Sequence, residues 1–146
     1  HFPDGMIGAK LEENFGSEID GSTGQHPGTD SPGAAKFADM VGGAFDATSP
    51  FTPESYDAAA LIMLAMQAAN SAEPGDYKSK VMDVANAPGE LIYPGELGKA
   101  LDILAAGGEI DYVGATAVEL IGPGESAGNY RQIEVSGGKI STVKYR

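Results

Sequence analysis

Residues 55–70, SYDAAALIMLAMQAAN, follow Thr52-Pro53-Glu54 and are apolar nearly all the way round. A proline in the first turn has φ preset for a helix, and its missing N–H falls where no intrahelical partner exists anyway. The stretch therefore reads as a helix starting near Thr52. With no polar face to turn toward water, it is expected to lie enclosed between other elements rather than on a surface. Its core, Ala58 to Met66, is the longest apolar run in the chain. That run is far shorter than the roughly 20 residues needed to span a bilayer.

Working outward, Ser31-Pro32 repeats the start signal and opens a helix reaching about Phe45. Asp76–Asn86 and Gly95–Ala106 read as two more helices, each closed by breakers (Pro88-Gly89 and Gly107-Gly108). Residues 4–15, DGMIGAKLEENF, read as a short helix that Asp4 caps. Ser17–Gly21 reads as extended, and 21–31, GSTGQHPGTDS, as a loop or crossover. The tail changes character. Ala117–Ile121, Tyr130–Val135 and Ile140–Tyr145 favour strands, with Gly137-Gly138 as a hairpin turn.

Buried parallel strands read as near-continuous Val, Ile and Leu, and the first two-thirds of the chain contains none. Helices of this kind need a layer to pack on. The expected partner is a sheet supplied by another stretch of the same polypeptide. The chain also opens on His1 with no initiator Met and no secretory-leader pattern, which fits a piece of a longer protein.

Hydrophobic residues make up 42% of the 146, enough for a core. Net charge is −12, from 21 acidic and 9 basic residues. Such a surface repels phosphate backbones and anionic lipid, so no nucleic-acid partner is expected. Without cysteine, disulfides and thiolate metal sites are excluded.

Gly124-Glu125-Ser126-Ala127-Gly128 matches the nucleophile elbow of serine hydrolases. That chemistry needs a helix after the serine and a later histidine. Here NYRQIEV reads as strand and no histidine follows His26, so Pro123 and the flanking glycines are expected to form an ordinary turn. His26 sits in a polar loop with only His1 as a second imidazole, too few for zinc. Asp20 and Asp30 lack calcium-loop spacing and read as solvated acids. No cofactor or metal is expected. Asp4 and Asp57 stand at helix starts, where an acid caps or complements the dipole. Each could instead meet a ligand ammonium beside an aromatic wall such as Tyr56. Spacing does not choose.

DGMIGAKLEENFGSEIDG (4–21) with STGQHPG (22–28), FADMVGGAFDATSPFTPESYDAAALIMLAMQAANS (37–71), PGELIYPGELGKALDILAAGGEIDYVGATAVEL (88–120) and YRQIEVSGGKI (130–140) resemble the C-terminal part of type I periplasmic solute-binding proteins. The nearest group is that serving branched-chain amino-acid, amide and urea ABC transporters. SYDAA and GGEIDYVGA together carry most of the resemblance. It implies an α/β fold of two lobes in a Venus-flytrap arrangement, of which this chain is only the C-terminal part. Residues 1–26 would end a C-terminal-lobe segment, 27–128 would be a mostly helical N-terminal-lobe segment, and 129–146 would return to the C-terminal lobe. The implied function is non-catalytic capture of an amino acid or small amide in the periplasm. The implied partners are a membrane ABC permease and the remainder of the polypeptide. A ligand sensor in an amide-responsive regulator is the alternative, and a serine esterase a more distant one. By the same resemblance Asp4, beside Gly5, would meet the ligand ammonium, and Tyr56 would line the cleft. Ser55 and Asp57 would be weaker contacts. Where the family often has glycine after this loop, the chain has Ala117, which puts the local turn in doubt.

Overall fold

The computed structural model describes residues 1–122 and 124–146; Pro123, expected in a turn, lies outside the described residues. Helices are α1 (Ala9–Phe15), α2 (Pro32–Val41), α3 (Thr52–Ala69), α4 (Pro74–Tyr77), α5 (Lys80–Ala85) and α6 (Leu97–Ala105). Strands are β1 (Thr23–Pro27), β2 (Glu90–Ile92), β3 (Ile110–Tyr112), β4 (Leu120–Gly122), β5 (Glu125–Ser126), β6 (Tyr130–Ser136) and β7 (Lys139–Tyr145).

The main core gathers on one stripe of α3. Ala60, Leu61, Leu64 and Ala65 pack with Val84 and Ala85 of α5, Ala100 of α6, Ile92 of β2, and Ile110 and Tyr112 of β3. These α3 positions recur at three- and four-residue steps, so they share one side of the helix. The opposite side is open: Ile62 is 42% and Met63 49% exposed. Enclosure on all sides, expected from composition, is therefore not met within this chain. Apolar character alone does not say how many neighbours a helix has.

Beneath α3, β2 and β3 run parallel, Glu90 opposite Ile110 and Ile92 opposite Tyr112. β2 thus lies in the first two-thirds of the chain, where no apolar run marked a parallel strand. β2 and β3 are each three residues long, too short to make an apolar run. A second sheet has the order β1-β6-β7 and is antiparallel throughout. It brings the two ends of the chain together, with Ile133 and Val135 of β6 buried alongside Ile7 and Leu11.

β1 occupies the stretch expected to be a loop. Glycine, proline and polar residues disfavour a strand locally, but β6 supplies the ladder partners from far along the chain. Local readings slip elsewhere too. Residues 4–15 divide into a 3-10 turn, Asp4–Met6, and α1. Ser17–Gly21 is largely a 3-10 turn, Gly16–Ile19, not extended. The 76–86 helix splits into α4 and α5. α2 starts as expected, with Ser31 Oγ accepting the Ala34 N–H at 3.3 Å. It stops at Val41, where Gly42 turns left-handed at φ 58°. The Gly137-Gly138 hairpin forms as read, and Asp20 accepts both glycine N–H groups at 3.0 and 2.9 Å. Asp20 is exposed, as read, and in addition clamps the turn.

Strand character in 117–121 begins only at Leu120, because Ala117 is left-handed at φ 53°. A side chain at such a φ is strained, commonly by about 1 kcal/mol. Ala117→Gly is therefore expected to raise stability by roughly 0.5–1 kcal/mol, read as a higher urea midpoint. An unchanged or lower midpoint would mean that the turn carries no strain.

Candidate functional site

Near its start, in the second turn, α3 carries a buried acid. Asp57 is 3% exposed. Its Oδ1 accepts the Tyr112 hydroxyl at 2.9 Å and the Ala115 N–H at 2.8 Å. Its Oδ2 accepts the Thr116 N–H at 2.8 Å and the Thr116 hydroxyl at 2.7 Å. Four donors converge on one carboxylate, which pins the 112–116 loop to α3. Burial, with the Asp57 charge beside it, pushes the Tyr112 phenol well up, so it keeps its proton and donates. Asp57 is therefore neither a helix cap nor an open ligand contact. Both oxygens are engaged inside the fold.

The other candidates on this turn are placed differently. Ser55 donates its hydroxyl back to the Phe51 carbonyl at 2.7 Å, a bond that holds the helix start where Phe51 is left-handed at φ 67°. Tyr56 is half-buried and packs on Phe37 of α2, ring centroids 5.1 Å apart. Burial raises its phenol pKa, with the Gly95 amide opposing. Asp4 is exposed, in the 3-10 turn Asp4–Met6 that lies beside β1. It does not cap α1, whose N-cap is Gly8. Its Oδ1 accepts the Gly5 N–H at 2.7 Å, the only bond that involves Gly5 among the side-chain bonds of the described residues. No hydrogen bond joins Asp4 to the α3 candidates among the described residues.

Between the β1-β6-β7 sheet and the 46–50 segment lies a crevice of about 360 Å³, whose lining includes Ile7, Glu12, His26, Asp46, Thr48 and Arg131. His26 and Arg131 face each other across the ladder of β1 and β6. His26 is buried, and its Nδ1 lies 2.6 Å from the Pro27 carbonyl, which places the proton there. Burial lowers its pKa. The Pro27 bond acts against that, Arg131 reinforces it, and Asp4 and Asp46 oppose it. The ring is therefore neutral at pH 7. On the other side of Arg131, Nε donates to the Thr142 hydroxyl at 2.8 Å. None of the five sequence candidates lines this crevice, and none of its polar residues was singled out as a site residue. His26 was read as loop because only β6 makes its segment a strand.

A smaller recess joins Pro27 and Gly28 to Asn129 and Tyr130. Here Glu54 of α3 has one carboxyl oxygen buried without a partner, and burial pushes its pKa up. Ser126 also lines it. Its hydroxyl donates to the neighbouring Ala127 carbonyl at 3.2 Å, and β6 rather than a helix follows. That is not the setting of a nucleophile elbow. No three His, Cys, Asp or Glu side chains cluster to hold a metal among the described residues.

No family model matches the chain. A stretch of 73 residues is 38% identical to the chemotactic signal transduction system substrate-binding protein BasB of Halobacterium salinarum; it is 49% of this chain and 18% of that protein. The crystal structure of the leucine binding protein LivK from Thermotoga maritima superposes with a TM-score of 0.69 at 15% identity, over 98% of this chain and 35% of that one. The chain thus spans well under half of each protein it is similar to. Its fold is α/β, that of a section of a type I periplasmic binding protein.

Proposed function

We propose that the chain is part of a substrate-binding protein that captures an amino acid or related small amide between two lobes, without catalysis, for import through an ABC permease. The observation that carries this reading is the match of 98% of the chain to a leucine-binding fold. Residues 1–26 and 129–146 belong to one lobe and 27–128 to the other, consistent with the ends of the chain sharing the β1-β6-β7 sheet. The rest of the same polypeptide completes the lobes, and the working compartment is the periplasm. Asp4 meets the ligand ammonium, flanked by Gly5, and Tyr56 approaches from the facing lobe.

Asp4→Asn in the full-length polypeptide is expected to weaken amino-acid binding at least tenfold by calorimetry. A charge-assisted hydrogen bond contributes roughly 1.5–3 kcal/mol, and tenfold is about 1.4 kcal/mol. Unchanged affinity removes Asp4 from the site. Ester hydrolysis that disappears in Ser126→Ala would overturn the non-catalytic reading itself.

A second reading, capture for sensing, is favoured by the similarity to BasB, whose name places it in chemotactic signal transduction. Deleting the gene separates the two. Loss of solute uptake marks transport; loss of taxis toward that solute with uptake intact marks sensing.

A further inference from the structure

Aspartate is followed by glycine twice in this chain, at Asp4-Gly5 and Asp20-Gly21. Such a pair is chemically labile, because glycine has no Cβ to shield its nitrogen and leaves the backbone free to turn. That nitrogen can attack the aspartate Cγ and close a succinimide ring. Both pairs are exposed, so exposure does not distinguish them. Their hydrogen bonds do.

At Asp20 the groups the reaction needs are engaged elsewhere. The Gly21 N–H donates to the Val135 carbonyl of β6 at 2.9 Å. Asp20 Oδ2 accepts the Gly137 N–H at 3.0 Å and Oδ1 the Gly138 N–H at 2.9 Å. Nitrogen and carboxyl are each held by the β6-β7 hairpin, so attack has to wait for the hairpin to open locally. At Asp4 nothing holds them apart. The Gly5 N–H belongs to a helix start, where no intrahelical carbonyl is in reach, and it donates to Asp4 Oδ1 at 2.7 Å. The Asp4 carboxyl forms no other hydrogen bond and no ion pair among the described residues.

We propose that Asp4 is a site of spontaneous isomerisation to isoaspartate, and that the hairpin protects Asp20 from the same reaction. The Gly5 nitrogen bonds to Cγ of the protonated Asp4 carboxyl, and one Cγ–O bond breaks. The departing oxygen leaves as water, taking the N–H proton and the carboxyl proton. Water then adds to either ring carbonyl. Opening at Cγ restores aspartate, whereas opening at the main-chain carbonyl leaves the backbone running through Cβ and Cγ. One water is lost and one regained, and nothing is oxidised or reduced. Isoaspartate turns the Asp4 carbonyl, which accepts the Ile7 N–H at 3.0 Å, into a free carboxylate and lengthens the turn by one carbon. The reaction is independent of solute capture, although an acid that serves a ligand would be displaced by it.

The test is to age the folded full-length polypeptide at neutral pH in heavy-oxygen water, digest it in ordinary water and map its peptides by mass spectrometry. Each passage through the ring leaves one heavy oxygen, and electron-transfer fragmentation separates isoaspartate from aspartate. Label and isoaspartate are expected at Asp4, in roughly tenfold excess or more over Asp20; tenfold corresponds to about 1.4 kcal/mol of local opening. Gly5→Ala, whose Cβ would meet nothing within 4 Å, keeps the turn but shields the nitrogen, and should cut the label at Asp4 several-fold. In urea the two sites should label alike. Equal labelling in the folded protein, no label at Asp4, or a difference that persists in urea overturns the assignment and leaves solute capture standing.

Discussion

Asp57→Ala is expected to cost the chain about 4 kcal/mol of stability or more, enough to unfold a protein of ordinary margin. The carboxylate takes four hydrogen bonds, from the Tyr112 hydroxyl, the Ala115 N–H, and the N–H and hydroxyl of Thr116. Hydrogen bonds to a charged acceptor contribute roughly 1.5–3 kcal/mol each, and a buried donor left without a partner costs about 1–3. These contributions do not add, because all four donors share one loop. Tyr112 bears the sharpest loss, being fully buried at the centre of the core. Asp57→Asn keeps one acceptor oxygen but brings an NH₂ against the remaining donors, so it should fall between wild type and Asp57→Ala. Urea denaturation followed by circular dichroism gives the values. A loss below about 1 kcal/mol for Asp57→Ala would show that the 112–116 loop does not depend on this acid.

Gly33→Ala should be nearly as damaging, about 3 kcal/mol, the upper end of what overpacking usually costs. A Cβ on Gly33 would lie 1.9 Å from the Gly114 carbonyl oxygen and 3.1 Å from its carbon. The loop cannot withdraw cheaply. Gly114 is left-handed at φ 61°, and an added Cβ there would meet Asp57 Oδ1 at 2.4 Å, so it already lies tight on that carboxylate. Relief has to come from α2 moving outward, which uncovers Phe37, now 3% exposed, and parts it from Tyr56. Gly98 provides the control. It lies in α6 with nothing within 4 Å of an added Cβ, so Gly98→Ala should gain up to about 1 kcal/mol from helix propensity alone. If the two alanine variants shift the melting temperature alike, the close approach of α2 to the 112–116 loop does not exist in solution.

Both substitutions bear on the candidate site, because the 112–116 loop, α2 and the start of α3 come together there. SYDAA was legible in the sequence as a marked motif, yet the roles of its members were not. Asp57 reads as a first-turn acid, which usually serves the helix itself, but α3 begins at Thr52 and places it one turn further in. Its actual partners lie more than fifty residues away, beyond any local window. Asp4 and Tyr56 were singled out by resemblance, and no hydrogen bond joins them among the described residues. His26 was weighed only as a metal ligand and set aside, and Arg131 was not weighed at all, because each is unremarkable in its own segment. Only the β1–β6 register makes them face each other.

The sequence by itself determined where α2 and α3 begin, since Ser31-Pro32 and Thr52-Pro53 act through the dihedral preferences of a few adjacent residues. It also determined the Gly137-Gly138 hairpin, for the same local reasons; which stripe of the apolar α3 is buried it did not. Tertiary structure decided the rest. β1 became a strand, β2 and β3 paired in parallel, and only one side of α3 was covered within this chain. Hydrogen-bond ladders and buried charge contacts join residues far apart in the chain, and their energy is set by the partner, which no single segment contains.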